Sequence, residues 1–223
     1  MSPILRLPSL YPIIDFSSFA AKPDPVMAIV RYAEELIGAG ATLIQLRDKS
    51  QPEQLIRFLS CARELRRVTW GTGKTPKATL IINDRVDICL AAEADGVHLG
   101  QDDLSPESAR RIFDRVKDGN ARIIGFSTHN IAQVFAAAAL PIDYIAIGPV
   151  FATGSKANPD PMVGLEGVRL ARQATKKPLV AIGGITRQNC SQVKAAGADA
   201  VAVISDLLES PAKAVADFLL VLV

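Results

Sequence analysis

The chain has 223 residues, 49% of them hydrophobic and 22% charged, and its 25 Lys and Arg set against 23 Asp and Glu leave a formal charge of +2. That balance excludes a generally basic surface for nucleic acid, and 5% aromatic residues supply few rings for base stacking. The longest apolar run, residues 134–142, is far short of the roughly 20 residues a membrane helix needs. Residues 1–8 carry neither a basic leader with a long apolar stretch nor a small-residue cleavage site, so a cytoplasmic location is expected. Cys61, Cys89 and Cys190 are odd in number, with no CxxC and no neighbouring histidine, and read as buried packing thiols.

Short apolar runs recur at residues 10–14, 42–46, 79–82, 96–99, 123–126, 144–147, 179–182 and 200–204. They are nearly continuous rather than alternating, as expected of parallel strands covered on both faces. The segments between them place apolar residues at helical spacing, for example Val26, Ile29, Val30, Ala33 and Leu36, then Leu55, Phe58, Leu59, Ala62 and Leu65. Asp24 before Pro25, Ser50 with Glu53, and Ser105 before Pro106 are helix-start signals, while Gly40 and Gly197 fit left-handed helix ends. A faint repeat ending in Thr42, Asp95, Asp143 and Asp199 leads into every second strand, in steps of 53, 48 and 56 residues. Each step is the length of two β/α units, so the pattern predicts one (β/α)8 TIM barrel over residues 1–223.

Active sites in such barrels lie at the C-terminal ends of the strands, and here those ends are polar. The second strand runs into Gln45, Arg47 and Lys49 at alternate positions, two cations and an amide suited to a diphosphate. The third ends in Asn83-Asp84, and Gln101-Asp102-Asp103 follow the fourth. Two carboxylates from adjacent strand ends suffice for Mg²⁺, which keeps waters and takes phosphate oxygens, although Asp84 and Asp102 could equally cap the next helices. Ser127, after the fifth strand, is a substrate contact or a helix cap. His98 and His129 lack a partner at triad spacing and read as satisfied structural histidines. After the sixth strand, residues 149–164 form a loop carrying Thr153, Ser155 and Lys156, long enough to close over an anion. Gly183-Gly184-Ile185 and Ile204-Ser205 end the last two strands, where barrels commonly hold phosphate on bare backbone N–H groups.

Taken in order, Gln45-x-Arg47-x-Lys49, Ile82-Asn83-Asp84, the stretch from Gly96-Val-His to Asp103, Gly125-x-Ser127-x-His129, the Gly148-Pro loop with Lys156, and Gly183-Gly-Ile185 resemble the thiamine phosphate synthase family over nearly the whole chain. The resemblance implies transfer of a pyrimidine methyl group from its diphosphate to thiazole phosphate. Gln45, Arg47, Lys49, Asn83, Ser127 and Lys156 would hold the pyrimidine diphosphate, with Arg47, Ser127 and Lys156 in catalytic roles and Mg²⁺ on Asp84 and Asp103. Thr153, Ser155, Gly184, Ile204 and Ser205 would receive the thiazole phosphate, and Gly183 counts among the substrate-binding residues. The implied partners are therefore two small molecules, with no nucleic acid and no membrane, and a homo-oligomer is left open.

Against that family pattern, Ala152 replaces a proline and Gly154-Ser155 replaces a pair ending in threonine, although Ser155 keeps the hydroxyl. Residues 157–163 also look somewhat long. A thiazole phosphate tautomerase-like isomerase shares the barrel and the phosphate glycines but has no need of the diphosphate cluster. A non-catalytic phospholigand-binding barrel is the third reading, since fold alone does not determine activity.

Overall fold

Each apolar run forms a strand in the computed structural model, which describes residues 7–49, 55–73, 75–154 and 160–222. The strands are β1 (Leu10–Asp15), β2 (Leu43–Arg47), β3 (Thr79–Asn83), β4 (Gly96–Leu99), β5 (Ile123–Thr128), β6 (Tyr144–Ile147), β7 (Leu179–Ile182) and β8 (Ala200–Val203). All neighbours pair in parallel and β8 closes on β1, so the sheet is a complete barrel with no free edge. Helices α1 (Pro25–Gly38), α2 (Leu55–Trp70), α3 (Val86–Ala91), α4 (Pro106–Phe113), α5 (Ile131–Ala138), α6 (Gly164–Ala174), α7 (Cys190–Ala195) and α8 (Pro211–Val221) alternate with them.

The strands read as continuous apolar runs because both faces are covered, by helices outside and by packed side chains inside. The outer layer joins strand residues such as Ile14, Ile44, Ile82 and Ile124 to Ile29, Leu36, Leu65, Val168 and Phe218 on the helices. The inner layer contains Tyr11, Ile13, Leu43, Ile81, Tyr144, Val180 and Ala200, which fill the lower barrel and leave the upper end open. All three cysteines are buried in the outer layer.

Asp24 and Ser105 cap α1 and α4 as expected, accepting from the N–H groups of Met27 and Ser108, each with proline at the first helical position. The Ser50–Glu53 cap lies outside the described residues. Gly40 and Gly197 both have positive φ. Asp84 and Asp102 do not cap helices: α3 starts from Arg85 without a side-chain cap, and Ser105 takes the cap of α4.

The repeat has a physical basis at the foot of the barrel. Asp95, Asp143 and Asp199 each donate a backbone N–H to the carbonyl of Leu80, Ile124 and Leu179 respectively. Each carboxylate then accepts from the backbone N–H of that same residue, at 2.8, 2.7 and 2.8 Å. Arg66, Arg110 and Arg172, from the helix before each clamped strand, pair with the three carboxylates. One aspartate thus ties two strands and a helix together, three times around the barrel.

Candidate active site

A cavity of about 450 Å³ opens at the C-terminal ends of the strands. Its wall includes Arg47, Lys49, Asn83, Asp84, Asp103, Ser127, Thr153, Gly183, Gly184, Ile204 and Ser205, all expected from the sequence. Ser155 and Lys156 lie outside the described residues. Gln45, placed by its spacing at the barrel mouth, is one inward position below Arg47, buried and bonded to Tyr11, and it does not line the cavity.

On the β2–β4 side, Lys49 forms an ion pair with Asp84, and Arg47 with Asp15 at the end of β1. Asp15 also accepts from the Ser17 N–H at 3.0 Å and the Ser17 hydroxyl at 2.6 Å, so it is fixed before it orients the guanidinium. Its orienting role carries no sequence signal, because a lone aspartate at a strand end is also an ordinary helix cap. Asp84 has φ of 63° and sits at the centre of a tight turn closed by Arg85 N–H to Asn83 O, while its own N–H reaches His98 O at 2.7 Å. This uncommon conformation turns the carboxyl toward Asp103, whose Oδ2 accepts from Gly100 N–H at 2.7 Å. Burial, and then the neighbouring Asp103, raise the Asp84 pKa to about 6 against the opposing pull of Lys49.

Among the described residues no group of three or more His, Cys, Asp or Glu is assembled as a metal cage. The two carboxylates nevertheless suit a hard cation completed by water and phosphate oxygens, and positive charge there would offset the burial and the neighbouring Asp103 that raise the Asp84 pKa. Asn83 is 6% exposed and its Nδ2 has no protein partner among the described residues, leaving a desolvated donor in the cavity wall.

Ser127 is not a helix cap. Asn130 caps α5, and Ser127 Oγ lies 2.8 Å from His98 Nε2. His98 is buried, with Nδ1 2.9 Å from Tyr144 Oη. Burial depresses its pKa to about 4 and keeps the imidazole neutral. Gln101 Nε2 donates to Ser127 O, and His129 Nδ1 lies 2.9 Å from Gly148 O and 3.5 Å from Asp160 Oδ2. Both histidines are satisfied, as expected, but both also line the cavity, as do Gln101, quoted in the sequence beside Asp102 and Asp103 but given no role there, and Gln133 and Asp160, which the strand-end motifs did not single out. The inward alternation of Gly96 and His98 along β4 is the signal that places His98.

Gly183 and Gly184 have φ of 104° and 62°, and here the structure revises the reason for them. A Cβ on Gly183 would lie 2.6 Å from Pro149 Cα, and one on Gly184 2.4 Å from Ala152 O. The glycines therefore admit the loop after β6, which is stitched to β7 by Val150 N–H to Ile182 O and Phe151 N–H to Gly183 O. Their backbone still faces the cavity beside Ser205, which opens a short 3-10 turn, Ser205–Leu207.

The family model for thiamine monophosphate synthase matches residues 10–207. The chain is 49% identical to the thiamine-phosphate synthase of Koribacter versatilis over 98% of this chain and 97% of the relative, and 44% identical to that of Methanoregula boonei over 82% and 78%. A solved thiamine phosphate pyrophosphorylase from Pyrococcus furiosus superposes with a TM-score of 0.78 at 30% identity, covering 96% of this chain and 95% of that one. Barrel, cavity and relatives agree, and the chain belongs to the thiamine monophosphate synthase family.

Proposed function

We propose that this chain is a thiamine-phosphate synthase, joining the methylene carbon of a pyrimidine methyl diphosphate to the ring nitrogen of thiazole phosphate and releasing diphosphate. The observation that carries the reading is the unpartnered Asn83 amide beside the Lys49–Asp84–Asp103 cluster, a donor and charge set that a diphosphate with a divalent cation satisfies. A tautomerase-like isomerization of thiazole phosphate has no use for that cluster.

Mg²⁺, held by Asp84 and Asp103, would supply positive charge to the leaving diphosphate. Arg47, aimed by Asp15, and Lys49 bind the same anion, and Asn83 donates to it. As the carbon–oxygen bond breaks, negative charge grows on the leaving oxygen, so these donors act most strongly in the transition state. The aminopyrimidine ring stabilises the methylene cation, and the thiazole nitrogen then donates its lone pair to form the new bond. No protein nucleophile is required, in keeping with the absence of a triad signature in the sequence.

Gly183, Gly184 and Ser205 face the opposite side of the cavity, where the thiazole phosphate is proposed to bind together with Thr153 and Ile204. By family resemblance Ser155 and Lys156 complete the two anion sites. Incubating the protein with both substrates, with Mg²⁺ and then with chelator, should give thiamine phosphate and diphosphate in equal amounts only with the metal. No metal-dependent product would defeat the reading.

A further inference from the structure

We infer that Tyr11, outside the cavity, is a positioning residue: with Gln45 and Tyr144 it sets which nitrogen of His98 carries the proton and so turns the Ser127 hydroxyl hydrogen toward the substrate. The four bonds form one unbranched chain across the barrel interior. Gln45 Nε2 meets Tyr11 Oη at 2.9 Å, Tyr11 Oη meets Tyr144 Oη at 2.9 Å, Tyr144 Oη meets His98 Nδ1 at 2.9 Å, and His98 Nε2 meets Ser127 Oγ at 2.8 Å.

With the Gln45 NH₂ turned toward Tyr11, proton counting sets its direction. An amide NH₂ only donates, so Tyr11 Oη accepts from Gln45 and its single hydrogen goes to Tyr144. Tyr144 has then accepted, and its own hydrogen goes to His98 Nδ1, which must be unprotonated. The neutral ring therefore carries its hydrogen on Nε2 and donates to Ser127 Oγ. The serine hydrogen is not consumed by the chain and is left for the cavity that Ser127 lines. With the Gln45 amide reversed, every bond would reverse and Ser127 would offer substrate only lone pairs, which repel phosphate oxygens.

The interior is shaped for this chain. Gly125 is the register partner of Tyr144, and a Cβ there would lie 2.0 Å from Tyr144 Cζ, so glycine is what lets the phenol cross β5. The Tyr144 ring stacks on His98 with centroids 5.5 Å apart and planes at 18°. Tyr11 and Tyr144 are both essentially inaccessible, so water does not compete for these bonds.

The kinetic part of this inference rests on the synthase reading, whereas the tautomer does not. Nitrogen-15 NMR distinguishes the two tautomers, and with only two histidines in the chain a His129→Asn variant assigns the spectrum. Wild type should show His98 with Nδ1 bare and Nε2 protonated, and Tyr11→Phe should give a mixture. Tyr11→Phe should also lower kcat about tenfold, less than complete loss of one transition-state donor costs, with KM nearly unchanged. In a Ser127→Ala background the same substitution should cost less than about twofold, since coupled residues are not additive.

An Nδ1-protonated wild type, an unmoved tautomer in Tyr11→Phe, an unchanged kcat, or full additivity with Ser127→Ala would each overturn the inference. If Tyr11→Phe does not fold, Tyr144→Phe is read by the same criteria. A wild type that makes no thiamine phosphate defeats the synthase reading and leaves the NMR result to judge the tautomer.

Discussion

Arg110 Nη2 lies 2.7 Å from Asp143 Oδ2, the same oxygen that accepts the Ile124 N–H at 2.7 Å, so one carboxylate joins α4, β5 and β6 at the foot of the barrel. Asp143→Ala should leave a fully buried strand N–H and a partly buried guanidinium without this partner. A loss of about 2 kcal/mol is expected, the usual cost of orphaning a buried donor together with a charge-assisted bond. Urea unfolding checks it, and turnover of the folded variant should be nearly unchanged because the clamp lies at the end of the barrel opposite the cavity.

The Asp84 carboxyl has a separate function. Its raised pKa means that ionised Asp84 opposes folding in the metal-free protein: its contribution is most favourable below the ordinary carboxylate pKa of 3.8 and is lost as pH rises through about 6. Asp84→Asn should therefore leave the melting temperature equal or slightly higher, while lowering turnover at least about a hundredfold and abolishing the response to Mg²⁺. Thermal melts alongside Mg²⁺ titrations of activity test this. Collapse of stability together with activity would make Asp84 a structural residue.

For His98 the sign is opposite. Its unfolded pKa is near 6.5 and its folded value about 4, so the unfolded chain binds the extra proton between those values. The stability this contributes is fully present above pH 6.5 and falls as pH drops toward 4, by roughly 3 kcal/mol over the whole window. His98→Gln does not titrate there and should show a shallower loss of denaturation midpoint between pH 7 and 4.5. Parallel pH profiles for the two proteins would remove His98 as the source.

Much of this was legible in the sequence because parallel strands covered on both faces leave continuous apolar runs, and all eight appear where the runs place them. The repeat marked the even strands for a physical reason, since three of its four members are the clamp aspartates; Thr42 keeps the rhythm without the carboxylate. The cavity wall was legible wherever a polar residue interrupts a strand end, as at Asn83-Asp84 and Ser127. Gln45 and Arg47 share one alternation, and spacing alone does not say where the packed floor stops and the cavity starts. The bulk of Tyr11 and Tyr144 inside the barrel sets that level and holds Gln45 below it. The role of Asp15 was hidden because the contact that defines it, with Arg47, joins residues 32 positions apart.

Gly184 tests how far the glycine pair serves the loop. At φ of 62° an alanine meets the left-handed penalty of about 1–2 kcal/mol, and its Cβ would also press on Ala152 O and on Phe151 Cβ, 2.8 Å away. The β6 loop would have to lift off β7, weakening the Phe151 N–H to Gly183 O bond that docks it. Gly184→Ala should therefore raise KM for the thiazole phosphate more than tenfold, and that for the pyrimidine diphosphate less, since Lys156 alone of its proposed contacts belongs to this loop, whereas Arg47 and Asn83 stand on β2 and β3 and Lys49 follows β2 by two residues. Steady-state kinetics with each substrate varied in turn measure the split. Equal rises in both KM values would mean that the loop shapes the whole cavity mouth rather than the thiazole side alone.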